Sequence, residues 1–353
     1  MKFDDTYIRG IGAWLPNAVS TADAVADGRY DADTCADDGY ESICIERDLV
    51  AVEMAVAAGR CALDAAGTAP ESIDTLFHGG LWYQGAEMWP SASFVADQVA
   101  HPRTHAFDLQ QQCNVGLSGL ELAARLLTAG GGDIMVTTAD RFTGNRFDRW
   151  STETGIVYGD GAAAAIIGKT PSPLRIVATH TVASNDAEPV IRGPHFSLET
   201  PAEQLVLQSR FDHFATTGGL RAAVARVLGA ISDAVSAVLA DAGTTMEDLR
   251  HVIVPAAGRS KFDRQLGSLA AFDIERSNWR FAQTIGHMGA SDQMVGLAHL
   301  LSTTRLQAGD RILLVGGGAG FTCTCVVLEW TGLGTDEPPV SIGRPAAVSV
   351  PAR

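Results

Sequence analysis

Strand-like and helix-like stretches alternate along most of this chain, and the order they take in the first half returns in the second. Tyr7–Leu15 reads as a strand into a turn at Pro16. Asp48–Ala66 reads as an amphipathic helix, with Val50, Met54, Ala57 and Cys61 on one face and Gly67 at its end. Ile73–Gly80 and Thr104–Leu109 are strands around a helix at Ala92–Val99. A second helix follows Cys113, and buried strands come at Asp133–Ala139 and within Gly155–Gly168. The second half offers strands at Leu174–Thr181, Val252–Pro255, Arg311–Val315 and Phe321–Trp330, with helices at Leu220–Ala242 and Gln293–Ser302. Such alternation restricts the chain to an α/β fold with mostly parallel strands covered by helices. The repeated order predicts an internal duplication. The expected division is residues 1–172, residues 173–330 and a tail, 331–353, whose Pro338, Pro339, Pro345 and Pro351 suit a surface arm or disordered end. The acidic stretch before Glu46 shows little periodicity and predicts no regular element.

Charge and cysteine usage narrow the function. A net charge of −15 argues against nucleic acid and anionic membrane as general partners, since both attract cationic surface. The cysteines are Cys35, Cys44, Cys61, Cys113, Cys323 and Cys325, with no CxxC pair. Cys323 and Cys325 alternate along an apolar run, which is a strand pattern and not a zinc spacing. Reduced thiols in a cytoplasmic protein are expected, with no metal. The N-terminus shows no basic region followed by an apolar run, and no uninterrupted apolar run suggests a membrane span.

The chemistry centres on Cys113. The segment His105-Ala106-Phe107-Asp108-Leu109-Gln110-Gln111-Gln112-Cys113-Asn114-Val115-Gly116 carries a short apolar stretch into a polar turn. Leu117, Leu120, Leu122, Ala123 and Leu126 then recur at helical spacing. A cysteine at a helix N-terminus faces unpaired N–H groups and the positive end of the helix dipole, which favour thiolate. The same N–H groups can hold an oxyanion when a thioester carbonyl is attacked. Covalent acyl transfer through Cys113 and a buried structural cysteine both fit this segment taken alone.

Three stretches, in order, resemble a known family. Phe107-Asp108-Leu109 running to Cys113, Val157-Tyr158-Gly159-Asp160-Gly161-Ala162-Ala163-Ala164-Ala165, and Leu313-Leu314-Val315-Gly316-Gly317-Gly318-Ala319-Gly320-Phe321-Thr322 look like β-ketoacyl-ACP synthase III. The resemblance covers most of residues 7–330. It implies the thiolase fold, five αβαβα layers built from two duplicated βαβαβαββ halves, in a homodimer. It places the nucleophile at Cys113 and the oxyanion hole at the backbone N–H groups of Cys113 and Ala319. The donor would be an acyl-ACP or acyl-CoA thioester, with an acyl carrier protein as partner and no other cofactor.

The departures from the family are informative. Condensing members carry a His in a Val-Pro-His-Gln-Ala-Asn segment and an Asn in a Gly-Asn-x-Ser segment. Here the first reads Val254-Pro255-Ala256-Ala257-Gly258-Arg259, so Ala256 offers no side-chain hydrogen bond to a malonyl enolate. The second reads Ile285-Gly286-His287-Met288-Gly289-Ala290-Ser291-Asp292, with His287 in the Asn position. His287 can act as general base for Cys113 and for an incoming hydroxyl. Asp292 can orient the imidazole, or cap the following helix. This pattern resembles the acyltransferase branch of natural-product and polyketide pathways, which passes acyl groups to an alcohol, often a sugar hydroxyl, or to another carrier thiol. A starter-unit condensing synthase and a non-catalytic subunit that docks carrier proteins are the alternatives.

Other positions carry weaker expectations. Asp37–Arg47 lacks the Trp that would stack on CoA adenine, which favours a carrier-bound donor. Trp82, Tyr83, Met88 and Trp89 resemble the loop near the acyl pocket and dimer contact, and are candidate substrate-binding residues. His195 sits in a polar insertion that could approach the site, and residues 197–217 are expected to shape acceptor access. Gly159-Asp160-Gly161 is a structural turn, and Gly316–Gly320 is a turn ahead of a strand, not a dinucleotide fingerprint.

Overall fold

Alternate residues of one alanine-rich strand show how the layers are spaced. Ala162, Ala164 and Ile166 join one buried cluster while Ala163, Ala165 and Ile167 join another. A strand turns successive side chains to opposite faces, so this one is buried on both. The computed structural model describes residues 1–194, 196–199, 203–267, 273–333 and 337–345.

The first run of elements is β1 (Tyr7–Trp14), β2 (Ala18–Ser20), α1 (Thr21–Ala26), α2 (Ala32–Asp38), β3 (Ser42–Cys44), α3 (Ala51–Ala66), β4 (Ile73–Gly79), α4 (Ser91–Val99), β5 (His105–Leu109), α5 (Val115–Thr128), β6 (Asp133–Asp140) and β7 (Gly161–Gly168). The second is β8 (Leu174–Ala183), α6 (Pro189–Arg192), α7 (Leu207–Thr216), α8 (Leu220–Ala242), β9 (Leu249–Ile253), α9 (Arg259–Gly267), α10 (Trp279–Ile285), α11 (Asp292–Thr303), β10 (Arg311–Gly318), β11 (Thr322–Trp330) and β12 (Val340–Gly343).

The strands pair in the order β5-β4-β6-β7-β1-β8-β11-β10-β9. Reading outward from the seam, where Tyr7 pairs with Arg175 and Ile8 with Leu174, β7 lies beside β1 in the first run and β11 beside β8 in the second. A single parallel bridge between Val252 and Ser277 flanks β9 where β5 flanks β4. α5 touches β6 and β7 on one side and β8, β10 and β11 on the other; α11 likewise lies between β1 and β7 and the strands β9 and β10. α3 and α4 cover the outer face of the first run, and α8 covers β8 and β11. This is the five-layered thiolase fold that the resemblance implied. α3 can lie so close because Gly10 and Gly12 present no side chain: a Cβ on either would collide with the carbonyl oxygen of Ala62 or Ala58.

Several local expectations are corrected. α3 begins at Ala51, and its buried face is Val52, Met54, Ala55, Ala58 and Ala62, while Val50 is exposed. Leu122 and Leu126 of α5 also face outward. The acidic stretch is not irregular: α2 starts at Asp31, whose carboxylate caps the Thr34 N–H at 2.8 Å, and ends at Gly39 in the left-handed region. Residues 155–160 form no strand, and Gly316–Gly318 belong to β10. The tail contains β12, which adds in parallel to β1 with Ile11 opposite Val340. Pro339 lacks a donor, but its carbonyl accepts the Ile11 N–H at 2.9 Å, so prolines can open this added strand. Residues 346–353 of the tail and His195 lie outside the described residues. α8, at 23 residues and a mean hydropathy of 1.6, is the one described helix long and apolar enough to cross a membrane. Here its apolar side packs on β8 and β11.

Candidate active site

Cys113 stands in a short 3-10 turn, Gln112–Asn114, directly ahead of α5. Gln112 occupies the left-handed region at φ 52°, a costly conformation for a residue with a Cβ. The turn is held from below by Asn114, which is fully buried. Its Nδ2 donates to Thr324 Oγ1 at 2.9 Å, and its Oδ1 accepts the Thr324 N–H at 3.3 Å. β10 passes close beneath because it carries glycine there: a Cβ on Gly318 would collide with the Gln111 carbonyl oxygen.

His287 comes from the turn between α10 and α11. Gly286, at φ 74°, brings the chain against the 157–159 segment, where a Cβ would sit 2.9 Å from Ile43 and 3.0 Å from the Gly159 nitrogen. The His287 N–H donates to the Val157 carbonyl at 2.8 Å, and the His287 carbonyl accepts the Gly159 N–H at 3.0 Å. This clamp sets the imidazole Nε2 3.2 Å from Cys113 Sγ. Nδ1 lies 2.6 Å from Asp292 Oδ2. Asp292 is the first residue of α11, and its carboxylate turns back from the helix instead of capping it. Oδ1 accepts the Met288 N–H at 2.7 Å, and Oδ2 also accepts the Ala256 N–H at 2.7 Å. The Ala256 carbonyl accepts the Tyr40 hydroxyl at 2.9 Å.

The imidazole and carboxylate side chains are 4% and 1% exposed. Burial opposes a charge on His287, yet the Asp292 carboxylate, the Cys113 sulfur and the hydrogen bonds to both carry the imidazole well above its ordinary value. Asp140 is a further buried carboxylate nearby. Its Oδ1 accepts the Leu81 and Trp82 N–H groups at 2.7 and 2.8 Å, and its Oδ2 accepts the Ala290 N–H at 3.1 Å. Burial pushes its carboxyl up to about 7 against those three bonds. Asp160 of the Gly-Asp-Gly turn takes the Glu46 and Phe142 N–H groups and pairs with Arg149 at 3.1 Å, a structural junction.

Cys113 and His287 open onto a cavity of about 330 Å³. Its wall is mostly apolar, from Leu81, Ile156, Leu207, Phe211, Val227 and Ile231, and Ala319 lines it beside the cysteine. Ala319 is not in the left-handed region, so the Ala in place of a glycine is compatible with the backbone there. The structure thus brings Cys113, His287, Asp292 and Ala319 to one place. It does not bring the aromatic loop there. Trp82 meets Phe147 edge-on at 4.8 Å, Trp89 packs on Phe94 at 5.4 Å, and Tyr83 and Met88 are exposed. Within this chain, Leu81 is the residue of that loop lining the cavity, correcting the assignment of Trp82, Tyr83, Met88 and Trp89 to it. α7 supplies Leu207 and Phe211 from the 197–217 region expected to shape access, and α6, ahead of that region, adds Ile191. The sequence reading missed Tyr158, whose ring lies 5.3 Å from that of His287. Its place next to Gly159-Asp160-Gly161 was the available signal.

Comparison with known proteins gives the family and the fold. The chain matches the family described as 3-oxoacyl-[acyl-carrier-protein (ACP)] synthase III over residues 107–185, and the C-terminal part of that description over residues 239–330. The solved structure of the acyltransferase ChlB3 superposes with a TM-score of 0.90 at 31% identity, covering 96% of this chain and all of that one. The acetoacetyl CoA synthase NphT7 of Streptomyces sp. is 26% identical over 92% of this chain and 98% of its own length. The 3-oxoacyl-(acyl carrier protein) synthase III of Pseudomonas aeruginosa shares the fold, with a TM-score of 0.75 at 24% identity over 93% of this chain and 99% of that one.

Proposed function

The chain belongs to the 3-oxoacyl-[acyl-carrier-protein] synthase III family of thiolase-fold enzymes, and on that premise we propose that it is an acyltransferase. It takes an acyl group from a carrier-protein or CoA thioester onto Cys113. It then passes that group to a hydroxyl acceptor, a sugar or other natural-product alcohol, or to a second carrier thiol, without decarboxylative condensation.

The carrying observation is the link from Cys113 Sγ through His287 to Asp292, at 3.2 and 2.6 Å, together with the use made of residue 256. Where a condensing member places an imidazole, this chain has an alanine whose N–H is spent on Asp292. The imidazole at position 287 instead faces the thiol and holds a proton relay. In the first step the sulfur attacks the thioester carbonyl, and the Cys113 and Ala319 N–H groups face the developing oxyanion. Collapse breaks the donor carbon–sulfur bond, and the imidazolium of His287 protonates the departing thiol. In the second step His287 Nε2 removes the acceptor proton, the oxygen attacks the acyl-enzyme, and the Cys113 sulfur leaves. An acyl thioester and an alcohol thus become an ester and a free thiol. Asp292 orients Nδ1 and balances the imidazolium throughout.

The test is intact mass after incubation with acyl thioesters on CoA and on carrier protein, malonyl included. An adduct of unchanged acyl mass, absent in Cys113→Ala, is expected. Carbon dioxide release with a shortened adduct would move the assignment to condensation, the activity that the names of NphT7 and the Pseudomonas aeruginosa protein carry. Absence of any adduct would move it to carrier docking without catalysis.

A further inference from the structure

The cavity beside Cys113 contains a charged pair that the transfer steps above do not use. Lys261 Nζ lies 2.6 Å from Glu153 Oε1, and Tyr158 donates its hydroxyl to Glu153 Oε2 at 2.8 Å. The Glu153 side chain is 11% exposed and that of Lys261 28%, in a wall otherwise made largely of apolar side chains. The backbone makes room for the pair. Gly155, at φ 78°, leaves open the space that the lysine stem runs through, and a Cβ there would lie 3.1 Å from Lys261 Cε. The Gly258 N–H meets the Gly155 carbonyl at 2.9 Å and fixes the start of α9 against this turn.

A half-buried ion pair gains little unless its remaining donors and acceptors are also satisfied. An ammonium has three donors, and Lys261 gives one to Glu153; among the described residues it makes no other hydrogen bond. Each Glu153 oxygen has one partner and room for another. We propose that Glu153 and Lys261 form a recognition site for a hydroxyl group of the ligand, which donates to the carboxylate and accepts from the ammonium. A second carboxylate would meet Lys261 but be repelled by Glu153 and by Asp38, which already feels the Lys261 charge. An amine would be repelled by Lys261. Tyr158 spans the pair and His287, its ring 5.3 Å from the imidazole, so the recognised hydroxyl is held about one tyrosine's length from the base. The same chemistry fits a hydroxyl on the acyl group or one on the acceptor. The inference rests on the acyl-transfer reading only for what happens at the ligand's other end.

Binding is measured by calorimetry on the Cys113→Ala chain, where no acyl group can be transferred through the thiol. One arm compares a methyl hexoside with an alkanol of similar size. The other compares hydroxyhexanoyl and hydroxybenzoyl pantetheine thioesters with their deoxy counterparts. In at least one arm the hydroxylated ligand should bind roughly 10- to 100-fold more tightly, since a site built around a hydroxyl leaves partly buried polar groups unpaired without it. That preference should fall to within about threefold when Glu153→Gln or Lys261→Met is added. The arm that shows the preference identifies its source. Equal binding of hydroxylated and deoxy ligands in both arms would overturn the proposal. So would a preference that survives both substitutions, because a pair that merely braces α9 weakens both ligands alike. Tight malonyl pantetheine binding lost only in Lys261→Met would also overturn it, by assigning the ammonium to an acyl carboxylate. A chain that shows the hydroxyl preference yet never loads Cys113 would refute acyl transfer and leave the site standing.

Discussion

Asp292→Asn separates the proton relay from a purely structural carboxylate. The carboxylate accepts three hydrogen bonds: Met288 N–H on Oδ1, and Ala256 N–H with His287 Nδ1 on Oδ2. An amide cannot match this set. With its oxygen toward His287 and Ala256, its NH₂ points at the Met288 N–H. Turned over, it meets the Ala256 N–H and forces His287 into the tautomer that leaves Nε2 protonated and unable to accept from Cys113. Each orientation leaves one donor conflict, and the second also requires the tautomer change, so the first should prevail. One unsatisfied buried donor costs about 1–3 kcal/mol of stability. The catalytic loss is separate. Unit charges about 4 Å apart at an effective dielectric near 20 attract by about 4 kcal/mol. Losing about 3–4 kcal/mol of support for the imidazolium slows each step that forms it by about 10²–10³-fold. Rapid-quench intact mass reads the rate of acyl-enzyme formation, and urea unfolding with circular dichroism reads the fold. A folded Asn variant that loads Cys113 within about threefold of the wild-type rate would refute the reasoning and reduce Asp292 to a brace for the turn at Ala256 and Met288.

The remaining predictions address the base, the turn and the cavity. His287 has a raised value in the folded chain, so its contribution to stability is complete below its ordinary value of 6.5 and is lost as pH rises through the folded value. Urea midpoints should show wild type losing ground to His287→Gln by up to about 1.4 kcal/mol per pH unit in that window, and a flat difference would contradict the raised value. Gly318→Ala should cost about 1–3 kcal/mol by driving a methyl into the Gln111 carbonyl, and should slow loading by tilting Cys113 away from His287. Wild-type loading in that variant would mean the turn is less tightly seated than described. Phe211→Ala removes a side chain shared by the cavity of about 330 Å³ beside Cys113 and a neighbouring apolar one of about 120 Å³. Longer acyl groups should then load in competition assays, and an unchanged acyl preference would place the acyl group elsewhere.

Much of this arrangement could be read from the sequence because the family resemblance assigned Cys113, His287 and Ala319, and glycines at or beside those stretches fit it. Gly286, the run through Gly316–Gly318 and the strand entering Cys113 each declare where the chain must turn or approach closely. Those turns carry His287 and Ala319 to a thiol 174 residues before the histidine. What escaped reading depends on partners rather than on local pattern. β12 exists because β1 offers it hydrogen bonds, although Pro338 and Pro339 just before it read as breakers. The aromatic residues around Trp82 looked like ligand contacts because the same bulk serves cores and pockets; only packing against Phe147 and Phe94 decides. Glu153 and Lys261 lie 108 residues apart and meet only after α9 docks on the loop beyond β6. A salt bridge of that separation leaves no mark in spacing.

The seat of Asn114 on Thr324 also bears on timing during synthesis. The cysteine turn leaves the ribosome well before His287, Ala319 and the β11 threonine that holds it. Until those residues arrive, Cys113 lacks the imidazole partner and its neighbour Asn114 lacks the Thr324 seat of the folded chain. The thiol meets its imidazole and its full seat only when α11 and β11 have packed against the turn, so on the acyl-transfer reading the later half of the chain switches the nucleophile on.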